Sequence, residues 1–324
     1  MANGRNGERH ATMARLDSLA AVRAIGNTPL LRLTNLERHL GLPERVELWL
    51  KAEWTNPGGS VKDRPALAIV RDALERGQLG LGQTLIDATS GNTGIAYAML
   101  GAAIGFPVTL VVPGSASEER KQILAAYGAT VIESDPYDGS NGAIRHVRDL
   151  VAEDAGSGRY CYADQYRNPA NPEAHFLTTG PEIWGQTGGR ITHFVAGLGT
   201  TGTLMGTGRF LKGVSPAVEL VAVQPSDAFH GLDGLKHMPT AIVPTIYDET
   251  FPDRQLVAET GEAYDLVRLL ARIEGLFAGT STGAALSGAI AVAREAAAEA
   301  RPAVIVALAP DGGGKYLSTA LWDS

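Results

Sequence analysis

The sequence predicts an α/β protein built on parallel strands, and two observations carry that expectation. From about residue 45 onward, short apolar runs rich in Val and Ile alternate with longer amphipathic stretches. Such runs, lacking polar alternation, fit strands covered on both faces by helices. Segments rich in glycine and hydroxyl side chains then fall where strands would hand over to helices, and in open α/β sheets those junctions are where ligands sit.

Strands are expected at Val46–Ala52, Thr84–Ala88, Val108–Val112, Thr130–Glu133, Arg159–Ala163, Thr192–Ala196, Glu219–Gln224 and Ala303–Ala309. Helices are expected at 64–77, 93–104, 117–127, 140–154, 173–187, 203–212, 261–274, 283–299 and 315–321. Nothing between Asp87 and Glu118 is charged, yet Gly91, Gly94, Gly101, Gly105, Pro107 and Pro113 interrupt the stretch. It therefore reads as buried core and not as a membrane helix.

Composition narrows the function classes. The chain has 324 residues, 28 Lys+Arg against 35 Asp+Glu, and a net charge of −7, with no clustered basic surface to suit nucleic acid. With 44% hydrophobic residues it can bury a large core, and its length favours two lobes. A single cysteine, Cys161, allows no internal disulfide and no Cys-rich zinc site, which points to the cytoplasm. Histidines are scattered, so no metal is expected. Met1–Arg15 is polar and charged, a loose tail and not a signal peptide. Glycine stands out: 39 residues, or about 12% against a usual figure of about 7%.

Four junctions carry the chemistry. The first, Asn56–Pro65, places Lys62 just before a helix, with Asp63 as its expected N-cap and Pro65 in the first turn. The chain has only six lysines. A lysine at a helix N-terminus is disfavoured as a cation, and burial lowers its pKa further, which suits an amine that attacks a carbonyl. A solvated lysine in a turn is the alternative. The second junction is Thr89-Ser90-Gly91-Asn92-Thr93-Gly94. Three hydroxyls and an amide at the positive end of a helix form an anion cradle for a carboxylate or a phosphate.

The third junction, Gly197-Leu198-Gly199-Thr200-Thr201-Gly202-Thr203, matches the dinucleotide pattern GxGxxG. A nicotinamide enzyme also needs an acid ending the next strand, and that strand ends in Gln224-Pro225. Threonines at 200, 201 and 203 instead suit a terminal phosphate monoester. The fourth, Gly279-Thr280-Ser281-Thr282-Gly283, matches the GxSxG of serine hydrolases, but no histidine follows Ser281 to complete a triad. Ser281 is left as a hydroxyl for a ligand nitrogen or as an N-cap. Asp164-Gln165-Tyr166 closes a strand, where ligand contacts are common. His230, Lys236 and His237 lie in a glycine-punctuated segment, 226–240, that reads as a mobile loop.

A reactive lysine, a monophosphate cup, a carboxylate cradle and a neutral hydroxyl together suit pyridoxal 5′-phosphate. On these motifs the sequence resembles the cysteine synthase/cystathionine β-synthase family of pyridoxal-phosphate enzymes, fold type II, and within it the B-type cysteine synthases. Further motifs extend the resemblance over nearly the whole chain: Gly26–Leu30, Asn168–Pro172, Thr178–Glu182 and Lys315–Thr319. Asp311-Gly312-Gly313 stands where A-type enzymes place a serine, which agrees with the B type and leaves the role of Asp311 open.

The resemblance implies two open, twisted, mostly parallel sheets flanked by helices, with the active site between two domains. The larger domain would comprise 1–55 and 167–324, and the smaller, mobile one 56–166. Lys62 would carry the cofactor, Asn92 would bind its 3′-oxygen, Gly199, Thr200, Thr201, Gly202 and Thr203 its phosphate, and Ser281 its ring nitrogen. Thr89, Ser90, Gly91 and Thr93 would hold the substrate carboxylate, with Gln165 assisting. The implied reaction is a β-replacement making L-cysteine from an O-activated L-serine, O-acetylserine before O-phosphoserine, and sulfide or another thiol donor, through an α-aminoacrylate. A cystathionine β-synthase is a nearer rival than a nicotinamide oxidoreductase. A homodimer without an appended regulatory domain is expected, acting on small molecules, with no nucleic-acid or membrane partner.

Overall fold

The computed structural model describes residues 13–80, 82–89 and 91–323. The chain divides into two compact units. One comprises Lys62–Asn171 with the N-terminal residues through Ile25, and the other Gly26–Val61 with Pro172–Ser324.

The first unit holds a sheet of four parallel strands in the order β5-β4-β3-β6: β3 is Thr84–Ala88, β4 Val108–Pro113, β5 Thr130–Ser134 and β6 Tyr160–Tyr162. β4 is buried along its whole length, which is why its sequence shows no polar alternation. The helix Asn92–Ile104 beside it is nearly as apolar all round and buries Ile95, Ala96, Tyr97, Met99 and Leu100. It ends at Gly105 after 13 residues, too short for a bilayer, and no described helix is long and apolar enough to cross one.

The second unit holds six strands in the order β1-β2-β10-β7-β8-β9: β1 is Leu30–Arg32, β2 Val46–Ala52, β7 His193–Gly197, β8 Glu219–Pro225, β9 Arg254–Ala258 and β10 Ala303–Ala309. Only the β1–β2 pair is antiparallel. β10 shows how the two faces are filled. Ala303, Ile305, Ala307 and Ala309 join Val195, Val221 and the small residues Ala285 and Ala289 of the helix Thr280–Ala298. Val306 and Leu308 point the other way, to Phe194, Leu220, Leu204 and Leu211. That is the two-residue period of a strand covered on both sides.

Several expectations are corrected. Residues 13–25 belong with the first unit and not with a larger domain containing 1–55, because Leu16 and Val22 are buried in the core formed by Ile69, Val70, Tyr97 and Leu100. Residues 13–18 are helical, so the end of the expected loose tail is ordered, while residues 1–12 lie outside the described residues. The single helix expected at 173–187 is two, Ala170–Leu177 and Thr179–Gln186. Thr178 breaks it: its hydroxyl donates to Ala174 O at 2.6 Å, and Pro181 fits only the first turn of a new helix. In place of a helix at 315–321 there are two 3₁₀ turns, Gly313–Tyr316 and Ala320–Trp322, the second anchored by Trp322 stacked on Phe277 at 4.4 Å. β1 and β9 escape sequence reading because both are short edge strands with only half-buried faces.

Candidate active site

In the first unit, Lys62 stands at the N-cap position of the helix Asp63–Glu75. Asp63 is its first helical residue and is fully buried, so it is not the cap that the sequence suggested. Lys62 itself is half-buried, and its carbonyl accepts the first helical N–H, from Ala66 at 3.0 Å.

The cradle follows β3. Thr89 extends the strand, its N–H donating to Val111 O at 3.0 Å. Its Oγ1 then accepts two backbone N–H groups, from Gly91 at 3.0 Å and Gly94 at 3.1 Å. Both acceptor sites of that oxygen are filled by this arrangement, so the hydroxyl proton is left for a further acceptor. Gly91 sits at φ 141°, and a Cβ there would lie 2.3 Å from Arg120 Cδ, so any other residue would be strained and would have to push that arginine aside. Ser90, expected in the cradle, lies outside the described residues.

Gln165 closes the other side of the cradle and is held at four points. Its side-chain Nε2 donates to Ala88 O at 2.7 Å, and its Oε1 accepts from the Thr93 hydroxyl at 2.7 Å. Its backbone N–H donates to Asp87 Oδ2 at 3.3 Å, and its carbonyl accepts from Asn171 Nδ2 at 2.8 Å. The Ala88 carbonyl fixes which way the amide faces, because reversing it would set two carbonyl oxygens against each other. The Thr93 proton is thus spent on Gln165, and the side-chain donors of this group that point on to an anion, among the described residues, include the Thr89 hydroxyl and the second amide N–H of Gln165.

In the second unit, the loop after β7 carries Gly199 to Thr203. A Cβ on Gly199 would lie 2.3 Å from the Gly234 carbonyl oxygen, so the 226–240 segment packs directly on this loop. A further bond fastens it, Lys236 N–H to Leu198 O at 2.8 Å. Thr201 holds the left-handed conformation at φ 71° and sits at the N-cap of the helix Gly202–Val214. Strain of this kind in a non-glycine residue costs of order 1 kcal/mol and is concentrated at ligand sites. The Thr201 Oγ1 atom is buried without a hydrogen-bond partner among the described residues. An orphaned hydroxyl at a helix N-terminus, beside a glycine that admits no side chain, fits a phosphate.

Ser281 is buried in the first turn of the helix Thr280–Ala298, whose cap is Gly279, so the N-cap alternative for Ser281 is excluded. Its neighbours Thr280 and Thr282 also have buried hydroxyls without a partner among the described residues. Asp311 braces this turn. Its carbonyl accepts the Gly279 N–H at 3.0 Å, and its Oδ2 accepts the Tyr316 hydroxyl at 2.8 Å. The Gln224 side chain, where a nicotinamide enzyme would need an acid, accepts the Met238 N–H at 3.0 Å and is committed to folding the loop back.

Three residues of the site environment were not found in the sequence. His175 bridges two threonines, Nε2 to Thr203 Oγ1 at 3.3 Å and Nδ1 to Thr179 Oγ1 at 2.9 Å, and so supports the end of the Gly199–Thr203 loop. Lys315 donates to the carbonyls of Gly58 and Gly59. Asp87 is buried behind Gln165. Each acts on a partner distant in sequence, so no local pattern marks it. Lys236, singled out as a loop cation, is only 5% exposed, and burial pushes its ammonium down to about 8.

With this geometry in hand, the similarities are specific. A family model described as pyridoxal-phosphate dependent enzyme matches residues 22–311. A cysteine synthase of Aquifex aeolicus (strain VF5) is 54% identical over 301 residues, which cover 93% of this chain and 91% of that protein. Cysteine synthase B of Escherichia coli (strain K12) is 44% identical over 299 residues, covering 92% and 94%. Among solved structures, O-acetyl serine sulfhydrylase isoform 3 from Entamoeba histolytica superposes with a TM-score of 0.85 at 35% identity, covering 94% of this chain and 91% of that one. The resemblance drawn from the motifs and the orphaned Thr201 hydroxyl thus point the same way, and the chain belongs to the pyridoxal-phosphate dependent enzyme family.

Proposed function

We propose that the protein makes L-cysteine by β-replacement from O-acetylserine and sulfide. The observation that carries this proposal is the Thr89 hydroxyl, whose oxygen is taken by two backbone N–H groups so that its proton is offered at the mouth of a helix. A carboxylate is among the anions such a cradle takes. Relatives that share most of this chain bear the names cysteine synthase and cysteine synthase B, which supplies the reaction class.

Lys62 holds the cofactor, Asn92 its 3′-oxygen, Gly199 to Thr203 its phosphate and Ser281 its ring nitrogen. Thr89, Ser90, Gly91 and the backbone of Thr93, with Gln165, hold the substrate carboxylate. On this assignment Lys62–Asn171 carries the amino-acid end of the reaction, and Pro172–Ser324 carries the phosphate. Pyridoxal phosphate, when bound, supplies an electron sink that makes the substrate α-proton acidic. Lys62 then serves as the general base, taking that proton from Cα and returning it after the thiol has added to Cβ. Ser281, a neutral hydroxyl, cannot keep the ring nitrogen protonated as a carboxylate would, which favours prompt loss of the acetate over transamination. The cradle keeps the substrate oriented and excludes water from the activated carbon chain.

O-phosphoserine is a second reading, favoured by one observation: the buried cation Lys236 lies in the segment that packs on the phosphate loop. The protein is further proposed to act as a homodimer in the cytoplasm, tested by its mass in solution against twice the chain mass. The central test mixes the cofactor-loaded protein with sulfide and either O-acetylserine or O-phosphoserine, and measures L-cysteine with released acetate or phosphate. Equal amounts of L-cysteine and acetate are expected, and product from neither donor contradicts the proposal.

A further inference from the structure

Asp87 is the residue next to last in β3 and is fully buried. Its Oδ1 accepts the Ala88 N–H at 2.9 Å, and its Oδ2 accepts the Gln165 N–H at 3.3 Å. The groups around it are mostly acidic or neutral. Tyr97 faces it from the helix Asn92–Ile104, and Tyr162, Asp164 and Tyr166 face it from β6 and the turn beyond. Arg148, from the helix Gly139–Glu153, and Arg167 act on the neighbouring Asp164. Burial pushes the Asp87 carboxyl up to about 8. An apolar residue would serve the strand at far lower desolvation cost.

That cost is returned at the cradle. The two N–H groups Asp87 accepts belong to the residues that fix the Gln165 amide. Ala88 takes the amide N–H on its carbonyl, and Gln165 is thereby set to accept from Thr93. We propose that Asp87 is a positioning residue for substrate binding: by holding the backbones of Ala88 and Gln165 it fixes the Gln165 amide toward the substrate carboxylate. The proposal rests on the assignment of the cradle to that carboxylate.

The test is a double-mutant cycle on the cofactor-loaded protein, with L-serine binding measured by calorimetry for wild type, Asp87→Asn, Gln165→Ala and the pair. Asp87→Asn faces one of the two N–H groups with an amide donor, and is expected to weaken L-serine by about tenfold, the usual scale for leaving a buried N–H without its acceptor. In the Gln165→Ala background the same change is expected to have less than about a twofold effect, because its means of action is gone. In turnover the loss should appear in KM for O-acetylserine, with KM for sulfide unmoved, which a general loosening of the fold would not produce. Asp87→Ser keeps one acceptor and should fall between wild type and Asp87→Asn, so the order can be read even where one variant folds poorly. Wild-type protein that does not bind L-serine overturns the cradle assignment and the proposal with it. Wild-type binding that survives Asp87→Asn unchanged, or effects that simply add, overturns the role of Asp87 alone.

Discussion

Lys315 donates from Nζ to the carbonyl of Gly59 at 3.0 Å, and to that of Gly58 at the same distance. Gly59 lies at φ 73°, and the lysine fills the space beside its Cα, 3.3 Å from where a Cβ would stand. The strap from Gly58 to Val61 is also tied by Val61 N–H to Pro310 O at 2.8 Å. This is the stretch of chain that delivers Lys62 to the start of its helix.

Replacing Lys315 therefore tests whether that delivery matters. Lys315→Met keeps the apolar stem and removes the ammonium that holds both carbonyls. Turnover should fall by about tenfold, the lower end of what one hydrogen bond to a charged group contributes, while the visible absorbance of the cofactor is retained. Steady-state kinetics and a spectrum of the same sample check both parts.

Gly199 has the Gly234 carbonyl where a side chain would go, 2.3 Å from the Cβ position. Backbone cannot step aside as a flexible side chain can. Gly199→Ala should displace the phosphate loop and weaken cofactor affinity by at least about tenfold, with overpacking costing roughly 1–3 kcal/mol of stability. Equilibrium dialysis against pyridoxal phosphate reads the first effect and thermal melting of the cofactor-free protein the second.

Thr89 separates geometry from chemistry. Thr89→Ser preserves the acceptor for Gly91 and Gly94 and the outward proton, and should stay within about threefold of wild type in KM for the amino-acid donor. Thr89→Val leaves two buried N–H groups without an acceptor and removes the proton donor, so KM should rise by about a hundredfold. Equal behaviour of the two variants would contradict the cradle.

Asp87 predicts a pH dependence of stability. Burial raises its folded-state pKa from the ordinary carboxylate range to about 8, so the native state holds a proton that the unfolded chain gives up. The stabilisation of the neutral form is present below the unfolded value and is lost as pH rises from about 4 to about 8. Melting temperatures of wild type should therefore fall relative to Asp87→Asn between pH 5.5 and 8.5, by a few degrees for a chain of this size. A difference that stays constant across that range contradicts a buried, protonated Asp87.

The parallel sheets, the glycine junctions and the lysine at a helix mouth were legible because each is written in consecutive residues. β10 announces itself as AVIVALA, and Thr89–Gly94 as a run of small polar groups between a strand and a helix. What stayed hidden depends on contacts over long separations. Lys315 reaches back 256 positions to Gly59, His175 spans 28 to Thr203, and Gln165 meets Asp87 across 78. The break at Thr178 was missed for a different reason. The apolar period continues through it, and only the side-chain bond to Ala174 and the demand of Pro181 for a first turn interrupt the helix.

The account turns on one lysine among six. Borohydride reduction of the cofactor-loaded protein, followed by peptide mass mapping, fixes the cofactor to the side chain that holds it. The pyridoxyl mass should appear on the peptide containing Lys62 and be absent from the Lys62→Ala variant, which should also lose absorbance near about 410 nm and turnover. Finding that mass on Lys236, Lys315 or another lysine, with Lys62 unmodified, would contradict the assignment at its centre.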